Sequence, residues 1–133
     1  MLNRILIADD SAIARSIIKR VLEINGLVDI EIFEAENGKI ALDLLKKNPC
    51  DLVFTDLNMP DMSGEELLKR IKSSPRLTDI PVIVISSLTN PAKEKKLIKE
   101  NALAVFTKPV SLPEISRFLK SYQNMNTGDS NGL

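Results

Sequence analysis

A doubly wound α/β fold, with helices on both faces of a five-stranded parallel sheet, is predicted by three observations. Five short apolar runs (residues 4–8, 29–35, 52–55, 82–85 and 104–107) alternate with five stretches whose apolar residues recur at intervals of three and four. Strand and helix therefore alternate, and right-handed crossovers between such βα units impose a parallel sheet with helices on both sides. Runs such as Val82-Ile83-Val84-Ile85 are continuously apolar, the pattern of strands covered on both faces. The length of 133 residues fits one domain, able to bury roughly two-thirds of the surface its unfolded chain exposes.

The first strand, Arg-Ile-Leu-Ile-Ala at residues 4–8, stops at the paired acids Asp9-Asp10, and Ser11 or Asp10 caps a helix carrying Ile13, Ile17, Ile18, Val21 and Leu22. Asn25-Gly26 ends that helix. Residues 29–35 alternate Ile30, Ile32 and Ala35 with acids, suggesting a more exposed strand, and Asn37-Gly38 opens a helix using Ile40, Ala41, Leu44 and Leu45. After Asn48-Pro49 comes the run 52–55, ending at Asp56, and a loop shaped by Pro60, Ser63 and Gly64 leads into a helix over 65–73 with Leu67, Leu68 and Ile71 inward. Met59 and Met62 are expected to pack within that loop.

Pro75 and Pro81 bracket a connector to the fourth strand, which ends at Ser86-Ser87. Asn90-Pro91 starts a helix over 91–100 whose Lys93, Lys95, Lys96 and Lys99 are expected to form a solvated face. The fifth strand ends at Lys108-Pro109, and a last helix over 112–123 buries Ile115, Phe118, Leu119 and Tyr122. Residues 124–133, rich in Asn, Gly, Ser and Thr, carry no apolar period and read as a disordered terminus or the start of a linker.

Composition narrows the chemistry. Eighteen basic residues balance eighteen acidic ones, so net charge makes no case for nucleic-acid binding. No apolar run approaches the ~18 residues of a membrane span, and no secretory signal opens the chain, so a cytoplasmic location is expected. The single cysteine, Cys50, excludes an internal disulfide and reads as inert packing. With no histidine in the chain, His-ligated zinc, Ser-His-Asp or Cys-His catalysis and a phosphohistidine carrier role are all excluded. What remains is carboxylate chemistry.

Parallel strands share a carboxyl edge, where ligands of open α/β sheets gather. Asp9, Asp10, Asp56, Ser86 and Lys108 all fall at strand ends and should meet there. Clustered carboxylates repel, and protonation or a bound cation relieves them. An all-oxygen set without calcium-loop spacing suits Mg²⁺, with Mn²⁺ able to substitute. A metal-bound carboxylate beside a hydroxyl and a lysine can accept a phosphoryl group as an acyl phosphate. Asp56 is the candidate acceptor, Lys108 neutralises charge on the phosphoryl oxygens and Ser86 donates a hydrogen bond.

With these pieces in place, residues 3–122 resemble the receiver domain of two-component response regulators, of the single-domain CheY-like kind. The resemblance rests on Asp9-Asp10, on Asp56 within Asp-Leu-Asn-Met-Pro-Asp-Met-Ser-Gly, on Ser86 and on Lys108-Pro109. It implies a flavodoxin-like sheet in the order 2-1-3-4-5 and a cis Lys108–Pro109 bond. It also implies that Asp10 and Asp56 ligate Mg²⁺ directly, Asp9 largely through water, and Asn58 through its backbone carbonyl. The phosphoryl group would come from the phosphohistidine of a sensor histidine kinase or phosphotransfer protein, or from a small acyl phosphate, and be lost later by hydrolysis. The chain would be a switch in a phosphorelay rather than an enzyme with a separate substrate. Phosphorylation would draw Ser86 and the following loop, including Ser87, inward and change a protein-docking face made by the fourth helix, fifth strand and fifth helix, without direct contact to nucleic acid or membrane. The receiver would occupy residues 1–124, with 125–133 as tail or linker.

Two positions depart from the family pattern. Val105 stands three before Lys108, where many members carry an aromatic switch residue, and strand alternation points neighbouring Phe106 to the other side. Leu88, two after Ser86, is apolar where hydrolytic water needs access, so slow phosphoryl loss is expected; Leu88→Glu should accelerate it. Among rivals, a haloacid-dehalogenase-like phosphatase needs an Asp-x-Asp nucleophile after its first strand, which Asp9-Asp10 does not supply. A phosphorylation-independent receiver normally lacks an acidic or lysine position that is present here. A flavin-binding relative needs a Gly/Ser/Thr phosphate loop where this chain is acidic.

Overall fold

The computed structural model describes residues 2–87 and 89–127. Along them run β1 (Arg4–Ala8), α1 (Ala12–Ile24), β2 (Glu31–Ala35), α2 (Gly38–Lys47), β3 (Leu52–Thr55), α3 (Gly64–Ser73), β4 (Val82–Ser86), α4 (Pro91–Lys99), β5 (Ala104–Thr107) and α5 (Leu112–Thr127). Four helices start where a polar side chain satisfies an otherwise unpaired amide: Ser11 accepts from Ala14, Asn37 from Ile40, Ser63 from Glu66 and Asn90 from Lys93. Pro91 follows its cap at the first helical position, where the missing N–H costs nothing.

The strands form one parallel sheet in the order β2-β1-β3-β4-β5, as the resemblance implied. Register carries this order into function. Ala8 pairs with Thr55 and Ser86 with Thr107, so Asp9 and Asp56 leave β1 and β3 at the same level, and Lys108 leaves β5 one residue past the level of Ser86.

Alternation along the strands feeds two cores. Leu6, Val53, Val82 and Val84 join Leu42, Leu45, Leu67, Leu68, Ile71 and Leu97 on the α2, α3 and α4 side, with Met59, Met62 and Cys50 packed at its edge. Ile5, Ile7, Phe54, Ile83, Ile85 and Phe106 join Ile18, Val21, Leu22, Ile115 and Leu119 on the α1 and α5 side. Val105 and Phe106 accordingly belong to opposite cores. The cover is uneven: α3 buries Leu67, Leu68 and Ile71, whereas α4 buries Leu97 alone.

Several local expectations change. Ile13, Ile17 and Ile40 match the helical period yet are exposed, because the α1 residues that reach the sheet are Ile18, Val21 and Leu22, and those of α2 are Ala41, Leu42 and Leu45. Residues 29 and 30 lie outside β2, whose pairing with β1 starts at Arg4 opposite Glu31. Phe118 and Tyr122 are half-buried, Phe118 meeting Phe106 edge-on at 5.6 Å and stacking on Tyr122 at 6.1 Å. Helix α5 continues to Thr127, so residues 124–127 are helical rather than tail, while 128–133 lie outside the described residues. Leu88 also lies outside them.

Candidate functional site

Asp56 sits at the carboxyl end of the central strand, 9% exposed, with Asp9 beside it at 6%. Its backbone is fixed from two sides: its amide donates to Ala8 O at 2.9 Å, and the buried Thr55 hydroxyl donates to its carbonyl at 2.8 Å. Its Oδ1 accepts from the Leu57 amide at 2.7 Å, and its Oδ2 lies 3.3 Å from Lys108 Nζ. Asp9 is held still more fully. Its amide donates to Ala35 O, its Oδ1 accepts from the Ser11 amide at 2.9 Å, its Oδ2 from Lys108 Nζ at 2.8 Å and its carbonyl from Arg15 Nη1 at 2.6 Å. Arg15 is in turn braced by Glu34, whose carboxyl the hydrogen bonds from Arg15 and Lys19 hold below the usual range.

Exposed Asp10 completes the group: one carboxylate oxygen from each of Asp9, Asp10 and Asp56 lies within 4.8 Å of the others. Three hard oxygen donors so placed, two of them nearly desolvated, fit a divalent cation. Lys108 supplies the one ammonium ion-paired to both buried acids among the described residues. Burial alone would depress its pKa, but the hydrogen bond it donates to Asp9 and the charge of Asp56 outweigh burial and raise it above the ordinary lysine value. Lys108 is thus a fixed cation. Its peptide bond to Pro109 is cis, and its amide donates to the carbonyl of Ser86, which is fully buried.

The profile of the "Response regulator receiver domain" family matches residues 5–120. The chain belongs to that family. Two-component response regulator ORR5 of Oryza sativa subsp. japonica is 35% identical over 114 residues, spanning 85% of this chain and 83% of that protein. The signal receiver domain of a signal transduction histidine kinase from Syntrophus aciditrophicus superposes with a TM-score of 0.76 at 29% identity, covering 90% of this chain and 88% of its own. The phosphorylated cyanobacterial phytochrome response regulator RcpA superposes with a TM-score of 0.77 at 26% identity, covering 93% of each chain. As a CheY-like receiver of a two-component system, the domain belongs to phosphorylation-controlled signalling, with histidine kinases or phosphotransfer proteins as its class of partner. Receiver domains are phosphoacceptor switches and bind a divalent metal at an acidic pocket, which the Asp9, Asp10 and Asp56 cluster fits.

The receiver thus brings Asp9, Asp10, Asp56 and Lys108 into direct association and sets Ser86 one backbone hydrogen bond from Lys108. Asn58 and Ser87 are exposed in the loops after β3 and β4, and Val105 is half-buried toward the α2, α3 and α4 side. A mainly apolar cavity of about 120 Å³ adjoins the site, lined by Ile17, Ile18, Phe54 and Val110 together with Asp9, Asp56 and Lys108. A larger open cleft, of about 720 Å³ among Leu2, Val28 and Tyr122, does not include Asp56 or Lys108. Among the described residues, no helix is long and apolar enough to cross a membrane.

Sequence reasoning missed three supports of the site. Arg15 reads as one more helix-surface base until α1 is laid beside Asp9. Gly64 reads as a loop glycine, yet its amide donates to Leu57 O and its Cα lies against the Asp56 carbonyl. Lys93 and Lys96 are not simply solvated: both pair with Glu65 of α3, at 2.7 and 3.0 Å.

Proposed function

We propose that this receiver accepts a phosphoryl group on Asp56 from the phosphohistidine of a sensor histidine kinase or phosphotransfer protein, and that the change of charge alters its partner-binding face. The observation that carries the reading is the two-point tether of Lys108 to Asp9 and Asp56 inside the three-carboxylate cluster. Asp10 and Asp56 would hold Mg²⁺ directly, Asp9 through water, and the Asn58 carbonyl would add a ligand; Mn²⁺ would serve in its place. When bound, the cation neutralises charge on the carboxylates and on the incoming phosphoryl oxygens.

The chain's own residues do the rest. The Leu57 amide and Lys108 orient the Asp56 carboxylate, and Ala8 O and Thr55 Oγ1 hold its backbone. A carboxylate oxygen attacks phosphorus, an O–P bond forms, and the P–N bond of the donor breaks with its electron pair going to the imidazole nitrogen, which then takes a proton from water. Lys108 faces the added negative charge, and Ser86 donates a hydrogen bond to it. Inverting a 1:99 conformational equilibrium takes about 5.5 kcal/mol, which a few charge-assisted hydrogen bonds nearly supply. The switch has no separate substrate to turn over, acts in the cytoplasm and signals to a protein through α4, β5 and α5, not to nucleic acid or membrane.

The test is intact mass after incubation with a small acyl phosphate and Mg²⁺. A single phosphoryl adduct is expected, absent in Asp56→Asn and after chelation. No adduct on folded, Mg²⁺-bound protein would overturn the reading in favour of a phosphorylation-independent binding module.

A further inference from the structure

The site and α4 are joined by a contact that lies outside both cores. Glu65 follows Gly64, whose amide donates to Leu57 O at 2.9 Å, and a Cβ on Gly64 would fall 1.8 Å from the Asp56 carbonyl oxygen. The first turn of α3 therefore cannot shift independently of the Asp56–Leu57 peptide. From that base the Glu65 carboxylate reaches across to α4, where Oε1 accepts from Lys93 Nζ at 2.7 Å and Oε2 lies 3.0 Å from Lys96 Nζ. The carboxylate is only 22% exposed, and the hydrogen bond from Lys93 and then the Lys96 ammonium paired with Oε2 hold its pKa down to about 2.

Helix α4 has little else to fix it. Leu97 is its single buried residue, and Ile98 is 48% exposed. Its N-cap, Asn90, is four residues from Ser86, so the position of α4 and that of the loop after β4 are bound together. Val105 offers no aromatic ring to link Ser86 with this face, and Phe106 packs in the other core with Phe118.

We propose that Glu65 is a positioning residue that couples the Asp56 loop to α4, so that a change of charge at Asp56 reaches the output face through the Glu65 ion pairs with Lys93 and Lys96. Coupling of this kind is reciprocal: a partner whose carboxylates engage Lys93 and Lys96 competes with Glu65 and feeds back on the Asp56 loop. The inference rests on the phosphoacceptor reading above.

The experiment follows amide NMR shifts of residues 91–99 on adding a small acyl phosphate and Mg²⁺, with the adduct quantified by intact mass in the same samples. In the unaltered chain the α4 amides shift with adduct formation. In Glu65→Gln the adduct still forms, but the α4 response falls by roughly half or more. Charge reversal, Glu65→Lys with Lys93→Glu and Lys96→Glu, restores it, as a merely structural role would not. Should Glu65→Gln fail to fold, Lys93→Gln with Lys96→Gln tests the same pairs from α4. Adduct with an undiminished α4 response in these variants, adduct in the unaltered chain with silent α4 amides, or loss without recovery on charge reversal overturns the coupling while leaving the acceptor chemistry standing. Absence of adduct in the unaltered chain overturns the acceptor reading and the coupling with it.

Discussion

Replacing Gly64 by alanine puts a methyl group where no atom fits. The new Cβ would lie 1.8 Å from the Asp56 carbonyl oxygen, 2.8 Å from its carbon and 3.0 Å from Leu57 Cα. The closest of these is about 1.6 Å short of ordinary van der Waals contact, and all three are backbone atoms with no rotamer to escape into. Overpacking typically costs about 1–3 kcal/mol. Here the separation also strains the 2.9 Å bond from the Gly64 amide to Leu57 O, adding about 1 kcal/mol. A total of about 2–4 kcal/mol follows, or a melting temperature lower by about 10 °C for a chain of this length. Because the displaced atoms belong to Asp56, phosphoryl adduct formation should slow together with the loss of stability. Gly26→Ala is the control: φ is +82° there, but nothing lies within 4 Å, so about 1 kcal/mol of left-handed backbone strain is the whole cost and adduct formation is unchanged. Urea denaturation and timed intact mass read both quantities. Gly64→Ala protein within 1 kcal/mol of the parent, or phosphorylated at the parent rate, would refute the claim that this contact fixes the acceptor.

Lys108→Met strips the ammonium from two carboxylates that are 6% and 9% exposed, and about 1–3 kcal/mol of stability should be lost at neutral pH. Mg²⁺ should return part of that loss, read by urea titration with and without the ion; an identical deficit in both would contradict a cation site at these acids. In the unaltered chain the raised Lys108 pKa makes its contribution complete below the ordinary value of 10.5 and lost as pH climbs through the folded value, so alkaline unfolding should come later than in Lys108→Met. Glu65, held down to about 2, should still be ionised at pH 3 in a carbon-detected NMR titration and should return toward 4.5 in Lys93→Gln with Lys96→Gln. Its contribution to stability is full above the unfolded value and fades as pH falls from 4.5 toward 2. The Cys50 thiol, pushed up by burial, should alkylate far more slowly in the native protein than in urea at pH 8; equal rates would place it outside the packing seen here.

The residues of the candidate site were legible because each ends an apolar run. Asp9, Asp56, Ser86 and Lys108 mark the points where a buried strand stops, and parallel topology brings those points to one edge. The supports of the site were not legible in the same way. Arg15 to the Asp9 carbonyl and Glu65 to Lys93 and Lys96 depend on where one helix lies beside another element, a relation with no period in the sequence. Helical spacing likewise nominated Ile13 and Ile17 for the core, but period identifies a face of α1 and not how far along that face the sheet extends. Residues 124–127 read as tail because Asn and Thr are weak helix formers, yet α5 carries through them; propensity is a weak prior against an established helix.

Phosphorylation at Asp56, as proposed above, would act on a sheet held unequally on its two sides. On the α1 and α5 side, β5 is stiffened by Phe106 against Phe118 and Phe118 against Tyr122, while α1 is seated by three buried side chains. On the other side, α3 is seated by Leu67, Leu68 and Ile71 and bonded through the Gly64 amide to Leu57 O in the loop after Asp56. Helix α4 has one buried leucine and two lysines on a single carboxylate. Burial of a leucine contributes about 1.5–3 kcal/mol and does not weaken when charge changes nearby, whereas the ion pairs respond to it. A charge added at Asp56 therefore meets three helices, α1, α3 and α5, each seated by two or more buried side chains, and a fourth, α4, seated by one leucine together with two ion pairs. Because Lys96 is half exposed, salt should loosen that fourth contact first, and the response of α4 to phosphorylation should shrink with ionic strength before the fold itself is affected.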